Sequence, residues 1–148
     1  MSGTTNALRG RIDEAWRALL AAVDQIPETR QTEPGAAGSW SVKDLLGHIA
    51  YWDTNTASRV RSVTAGQPAA PWPDFEPINL EQAERRSAWP LDEIRRELHQ
   101  AHAALTDALG AADAAGVSVD PAVVQGATCE HYDEHRADLQ AYQERLGR

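Results

Sequence analysis

The sequence has very little cysteine and no long uninterrupted apolar run, and each shortage excludes a class of protein. Because Cys129 is the only cysteine, no disulfide framework can hold the chain together, and a reducing compartment such as the cytoplasm is expected. No apolar stretch approaches the roughly 20 residues that span a bilayer. The first residues also lack the basic patch and apolar run of a signal peptide, so we expect neither a membrane span nor a signal peptide.

Lysine is scarce as well, and acidic residues outnumber basic ones by 22 to 14. The formal net charge is −8, the acidic residues are spread along the chain, and Lys43 is the only lysine. Binding to a phosphate backbone requires a clustered basic surface, so nucleic acid is not an expected partner. The 148 residues are enough to bury a core, and we predict a single domain over residues 1–148.

Four long segments carry apolar residues at the spacing of an amphipathic helix. The first three cover residues 5–26, 41–66 and 91–109, and the fourth ends at Leu146. Ser41 and Asp44 form a capping-box pattern at the start of the second segment, and Gly110 follows the third. No segment alternates in the manner of a strand, so the sequence predicts an all-α fold.

The connection between the second and third helices, residues 66–90, is long for antiparallel neighbours, which usually need about 2–8 residues. Its proline-rich first part cannot be regular helix. Asn79 resembles a cap for a short helix over residues 80–89. Since such a connection can run back along the bundle and start the third helix parallel to the second, we predict a four-helix bundle with one long crossover.

His131 and His135 are the most informative residues of the chain. They stand four apart, so in a helix both imidazoles project from one face, one turn apart. The same face continues into Leu139, Tyr142 and Leu146, so the two histidines extend an apolar stripe. Neutral imidazoles that point into an interior require a partner, and the commonest partner is a metal ion.

The position of this pair depends on where the fourth helix begins. Thr128 is one possible cap, but Asp120 followed by Pro121 is the better start. We therefore expect one helix from Pro121 to Leu146 that is irregular at Gly126, which places the pair near the middle of the bundle.

His48 lies on the second helix and can reach the level of His131 and His135 if the second and fourth helices are antiparallel neighbours and the fourth begins near Pro121. Three imidazoles from two facing helices make a three-nitrogen site. Such a site leaves at least one metal position open for water or substrate, which is typical of catalytic metal sites.

Two motifs resemble a known family. Residues 40–52, WSVKDLLGHIAYW, are similar to the second-helix motif of the DinB-like superfamily, and residues 128–135, TCEHYDEH, are similar to its fourth-helix motif. This superfamily includes DinB/YfiT-type proteins, the N-terminal domain of mycothiol-dependent maleylpyruvate isomerase, and the ClbS/DfsB group. The resemblance implies an up-down-down-up four-helix bundle. It also implies a divalent metal, commonly zinc or nickel, held by the matching His48, His131 and His135.

The resemblance leaves the reaction open, because members include thiol-dependent transferases and isomerases, hydrolases and natural-product resistance proteins. Our first hypothesis is a metal-dependent enzyme. The metal would activate a small thiol, such as mycothiol, or water, for transfer, isomerisation or hydrolysis of a small molecule. The alternative is a binding or resistance protein that holds a small molecule in a metal-containing pocket without turnover.

Three further residues are candidates for the pocket or for support of the metal ligands. Trp52 stands one turn after His48 and is a candidate wall of the site. His102 could be a substrate contact, although we interpret it as a boundary histidine with a hydrogen bond. Asp44 could orient His48, although the capping box already explains it.

The remaining candidates are less specific. Cys129 is interpreted as a small buried filler. Candidates for a general base, none of them favoured, are Asp53, Glu130, Asp133 and Glu134. In the crossover, Trp72 and Phe75 could close over a pocket mouth, but we interpret them as anchors of a long loop.

A homodimer is a further expectation. Leu20, Leu46 and Val119 lie off the inner stripes and are candidates for an exposed apolar patch.

Overall fold

The computed structural model describes residues 3–147. Its helices are α1 (Gly3–Asp24), α2 (Val42–Thr64), α3 (Phe75–Arg86), α4 (Leu91–Ala114), α5 (Pro121–Val124) and α6 (Cys129–Leu146). Short 3-10 turns cover Glu28–Arg30 and Gln125–Ala127. Over these residues the chain forms no strand, and none of the helices is both long and apolar enough to cross a membrane.

α2 and α4 run in the same direction. At their starts, the Lys43 ammonium donates to the carbonyl oxygen of Trp89, the residue before Pro90 and α4, over 2.8 Å. Further along both helices, a carboxylate oxygen of Asp53 lies 4.0 Å from Nδ1 of His102. Residue numbers therefore rise together along the two helices, as the length of the crossover predicts.

α1 runs opposite to α4. Arg9 near the start of α1 forms a 2.7 Å ion pair with Asp113 near the end of α4. One and a half to two turns later in α1, the Trp16 ring stacks on His102, with ring centroids 3.8 Å apart. Residue numbers rise along α1 while they fall along α4.

α1 and α6 are parallel. The Trp16 ring lies 5.5 Å from the Tyr132 ring in the first turn of α6, and the Tyr142 hydroxyl donates to the carbonyl of Arg30, beyond the end of α1. With α2 and α4 running the other way, the four long helices form the up-down-down-up bundle. The predicted fold class is confirmed.

The apolar stripes of the long helices meet in one core. Side chains with no measurable exposure come from every long helix, among them Leu19, Leu45, Ile49, Leu105 and Leu139. Burial of a leucine or isoleucine side chain stabilises a fold by about 1.5–3 kcal/mol relative to exposure, so this core is the main source of stability.

The expectation that Leu20, Leu46 and Val119 form an exposed apolar patch is wrong. Leu46 is 1% exposed, Val119 is fully buried, and Leu20 packs against the core. The three side chains face the interior because the bundle buries a wider face of each helix than the narrow stripes read from the sequence.

The start of α2 is fixed by the predicted capping box. The Ser41 hydroxyl accepts from the backbone N–H of Asp44, and the Asp44 carboxylate accepts from the backbone N–H of Ser41, each over 3.0 Å. This reciprocal pair satisfies two backbone donors at the helix start. It also fixes the position of His48, which lies on the second turn of α2.

α4 is longer than the sequence predicts. It continues through Gly110 to Ala114 instead of ending at residue 109. Glycine inside a helix costs about 1 kcal/mol relative to alanine, and the buried side chains of Leu109 and Ala112 on either side offset that cost.

The crossover helix also begins earlier than predicted. α3 starts at Phe75, so Asn79 is not a helix cap but lies inside the helix. No residue of α3 is buried. The helix is held to the bundle by the ion pair of Arg86 with Glu97 on α4, at 2.7 Å.

The fourth helical segment is broken. Asp120 caps α5, accepting from the N–H of Ala122 over 3.0 Å, and Pro121 opens it as predicted. The chain then leaves helical geometry, and Thr128 has φ −126° and ψ −97°. The expectation of one helix from Pro121 to Leu146 is therefore wrong. The break places His131 in the first turn of α6.

Candidate metal-binding site

Three histidines converge between α2 and α6. Nε2 of His131 lies 2.8 Å from Nε2 of His48 and 2.8 Å from Nε2 of His135. One ligand nitrogen from each ring falls within 4.8 Å of the other two. The structure thus brings together the three residues that the sequence motifs single out, with the rings of His131 and His135 one turn apart on α6.

The hydrogen-bonding capacity of these rings is not met by the protein alone. Asp138, which the sequence analysis did not identify, accepts from Nδ1 of His135 over 3.0 Å. In the neutral ring, this hydrogen bond leaves the lone pair on Nε2 of His135. A single proton on Nε2 of His131 can satisfy only one of its two 2.8 Å neighbours. Converging imidazole lone pairs are the donor set that a divalent transition metal prefers, so these residues fit such an ion.

The electrostatics keep two of these rings neutral. Burial, followed by the charge of His135, lowers the pKa of His48 to about 3, while a hydrogen bond with Asn79 opposes the shift. Burial, followed by the charges of His135 and His48, lowers the pKa of His131 to about 2, while the carbonyl of Ala127 opposes it. At neutral pH both rings are therefore unprotonated and available as metal ligands.

The three histidines lie on one wall of an open cavity of about 630 Å³. Aromatic, small and polar side chains complete its lining, which consists of Trp40, His48, Trp52, Trp72, Phe75, Asn79, Ala122, Gly126, Ala127, His131, Glu134 and His135. A cavity of this size accommodates a small organic molecule.

The crossover supplies one side of this cavity. Trp52 on α2 lies 5.2 Å from Phe75 and 6.3 Å from Trp72, measured between ring centroids. Trp72 is also held from outside, since the Arg59 guanidinium carbon lies 3.9 Å from its ring centroid. The two crossover aromatics, interpreted from the sequence as loop anchors, therefore line the cavity as well.

Asn79 is a site residue that sequence reasoning missed. Its Oδ1 accepts from the indole N–H of Trp52 over 2.7 Å, and it lines the cavity together with His48. It therefore fixes one aromatic wall of the site. In the sequence, an asparagine just before an apolar residue is typical of a helix cap. No local signal therefore distinguishes a cap from a cavity residue at this position.

His102 and Asp44 lie outside the cavity. Nδ1 of His102 is 3.0 Å from the Tyr132 hydroxyl, and the ring lines a second, smaller cavity of about 340 Å³ beside α1. The Asp44 carboxylate is engaged by the backbone of Ser41. Neither residue contacts the three-histidine site in the part of the chain that is described.

The candidate general bases differ in burial and in their position relative to the cavity. Asp53 is fully buried and accepts from the Tyr132 hydroxyl over 2.5 Å. Burial raises the pKa of Asp53 well above its usual value, although the Tyr132 hydrogen bond opposes the shift. Among residues 3–147, Glu134 is the only acidic residue that lines the cavity. Cys129 is buried, as expected for a filler.

The bundle and its three-histidine site define the class of protein. The family model of the DinB superfamily matches residues 11–139, most of the chain, and the protein belongs to that superfamily. A crystal structure of an uncharacterised protein from Escherichia coli UTI89 has the same fold, with a TM-score of 0.76. That match covers 97% of this chain and 94% of the other at 15% sequence identity. No curated protein matches the sequence.

Proposed function

We propose that this protein is a metal-dependent enzyme that acts on a small molecule. The observation that carries the proposal is the convergence of three imidazole nitrogens within 4.8 Å on the wall of an open cavity. His48, His131 and His135 would hold one divalent metal; zinc and nickel are the ions that the family resemblance implies, and both accept imidazole ligands. Three protein ligands would leave a coordination position facing the cavity.

Such a metal, when bound, would acidify a thiol or water and polarise a carbonyl, which supports transfer, isomerisation or hydrolysis. The protein's own residues would provide positioning. Asp138 holds the proton-bearing Nδ1 of His135, so Nε2 faces the site. Asn79 holds Trp52 against the cavity, and the aromatic walls would exclude water around a bound substrate.

The second candidate is a protein that sequesters a small molecule without turnover. The mostly apolar lining of the cavity favours it, because such walls bind a ligand without supplying acid–base groups. Turnover of a trapped ligand separates the two functions.

Elemental analysis of protein purified without a histidine tag tests the proposal. Wild type should contain about one equivalent of transition metal per chain, and His131→Ala should lose it. His99→Ala is the matched control, since His99 is exposed on α4 and does not belong to the three-histidine site. The loaded protein would then be screened with thiols and electrophiles. Absence of metal after incubation with zinc and nickel would contradict the proposal.

A further inference from the structure

We propose that the cavity selects a ligand with one metal-binding head group and an uncharged, apolar body about the size of an aromatic ring. Anionic and sugar-like bodies would be discriminated against. This inference rests on the proposed function, because the head group is assigned to the metal position. It goes further by assigning the specificity to the walls of the cavity.

The first support is the shape of the walls. Trp52, Trp72 and Phe75 form a three-ring cluster, with Trp72 and Phe75 centroids 6.0 Å apart. Trp40 lies on the His48 side, 5.0 Å from the imidazole centroid. Four aromatic rings around a metal position offer stacking and edge contacts to an aromatic or branched aliphatic body.

The second support is the charge of the lining. No lysine or arginine of residues 3–147 lines the cavity, and Glu134 at its exposed edge is the only acidic residue there. Arg59 is close to Trp72, but its guanidinium donates to the Asn55 side chain and to the carbonyl of Ala70. The thiolate head group already offsets part of the charge of the metal, so a body with its own negative charge would meet the Glu134 carboxylate and no cationic side chain of the lining.

The third support is the shortage of hydrogen-bonding groups. Apart from the imidazoles, the indoles and Glu134, Asn79 has the only polar side chain among the described lining residues, and its Oδ1 already accepts from Trp52. A body rich in hydroxyls would lose its water without finding replacement partners, and each unsatisfied group weakens binding.

The test uses cobalt-loaded protein and four thiols that share one head group. Phenylmethanethiol carries the aromatic body, mercaptoethanol a small neutral one, thioglucose a sugar, and mercaptoethanesulfonate an anion. Binding is followed by the sulfur-to-cobalt charge-transfer absorption and, on metal-free protein, by tryptophan fluorescence. Phenylmethanethiol should bind about tenfold or more tightly than the other three, as expected for burial of a phenyl ring.

Three variants assign the selectivity to the walls. Trp72→Ala should weaken the binding of phenylmethanethiol about fivefold or more and leave the affinity for mercaptoethanol unchanged. Trp72 is 37% exposed, so its truncation should not unfold the bundle. Leu80→Ala is the matched control, because Leu80 is an exposed apolar residue of the crossover that does not line the cavity. Glu134→Gln should tighten the binding of mercaptoethanesulfonate and of none of the other three thiols.

The outcomes separate the inference from the proposed function. Equal binding of all four thiols to cobalt-loaded protein, or tightest binding of thioglucose or mercaptoethanesulfonate, would overturn the inference while leaving the metal site intact. Failure to bind cobalt would contradict the proposed function. The fluorescence ranking of the same thiols would then still decide whether the cavity prefers an apolar body.

Discussion

His131 and Tyr132 are adjacent in the chain, and their side chains lie in two different polar environments. The His131 ring opens onto the cavity, where its Nε2 faces two further imidazole nitrogens at 2.8 Å. The Tyr132 hydroxyl is sealed in the core, where it donates to Asp53 and lies 3.0 Å from His102. Both clusters combine histidine with neighbouring polar groups, but only in the first do three imidazole nitrogens converge beside the large open cavity.

This difference shows how a functional cluster can be told from a structural one. The Tyr132 hydroxyl is buried and donates to the fully buried Asp53. The three imidazoles of the His131 cluster instead line the larger open cavity. We therefore expect changes in the first cluster to alter the free energy of unfolding and changes in the second to alter metal affinity.

The largest expected effect on stability comes from Tyr132→Phe. This change removes the donor to Asp53, whose other carboxylate oxygen already has no hydrogen-bond partner among the described residues. Leaving that buried group unsatisfied should lower the free energy of unfolding by about 2–3 kcal/mol, measured by urea denaturation. Zinc stoichiometry should stay at the wild-type value. A loss below about 0.5 kcal/mol would show that the network is not structural.

The next effect concerns metal affinity alone. Asp138→Ala removes the acceptor that orients His135 and should weaken zinc binding about tenfold to a hundredfold. Asp133→Ala is the control, because Asp133 is exposed and pairs with Arg136 instead of a site histidine. Competition with a chelating dye measures both affinities. Equal zinc affinities of the two variants would contradict a role for Asp138 in orienting His135.

The last effect is a pH dependence whose sign should differ between the site histidines and Asp53. In metal-free protein, the pKa values of His48 and His131 are lowered from 6.5 to about 3 and about 2. Below pH 6.5 the unfolded chain takes up protons that the folded chain does not, so stability falls as the pH falls. The slope is at most about 1.4 kcal/mol per pH unit for each proton.

The titration of Asp53 changes the stability with pH in the opposite direction. Its pKa is raised above 3.8, so the folded chain keeps a proton that the unfolded chain releases, and this contribution weakens as the pH rises. Urea denaturation of metal-free protein at several pH values should therefore give a shallower rise of stability with pH for His131→Ala than for wild type. Asp53→Asn should give a steeper rise. Identical slopes for the three proteins would contradict this assignment.

Features set by local chemistry could be predicted from the sequence. The capping box at Ser41 and the Asp120–Pro121 helix start involve residues within a few positions of one another. The spacing of His131 and His135 similarly determines that their rings share one face of a helix. These local rules, together with the length of the crossover, were enough for the bundle and for the His131 and His135 pair, whereas the inclusion of His48 also relied on the family motif.

Features set by tertiary contacts could not be predicted. Gly110 is tolerated inside α4 because buried neighbours offset its cost, and the sequence pattern alone treats it as a helix end. The role of Asn79 could not be predicted because its hydrogen-bond partner, Trp52, comes from a different helix. Asp138 is an exception, since its spacing of three residues from His135 was visible and was overlooked.

The central claim is that the three converging imidazoles hold one metal ion. Calorimetric titration of zinc into metal-free protein tests it most directly. The account predicts one zinc per chain for wild type and for His99→Ala, and no specific binding for His131→Ala. Absence of binding to wild type, or unchanged binding to His131→Ala, would contradict it.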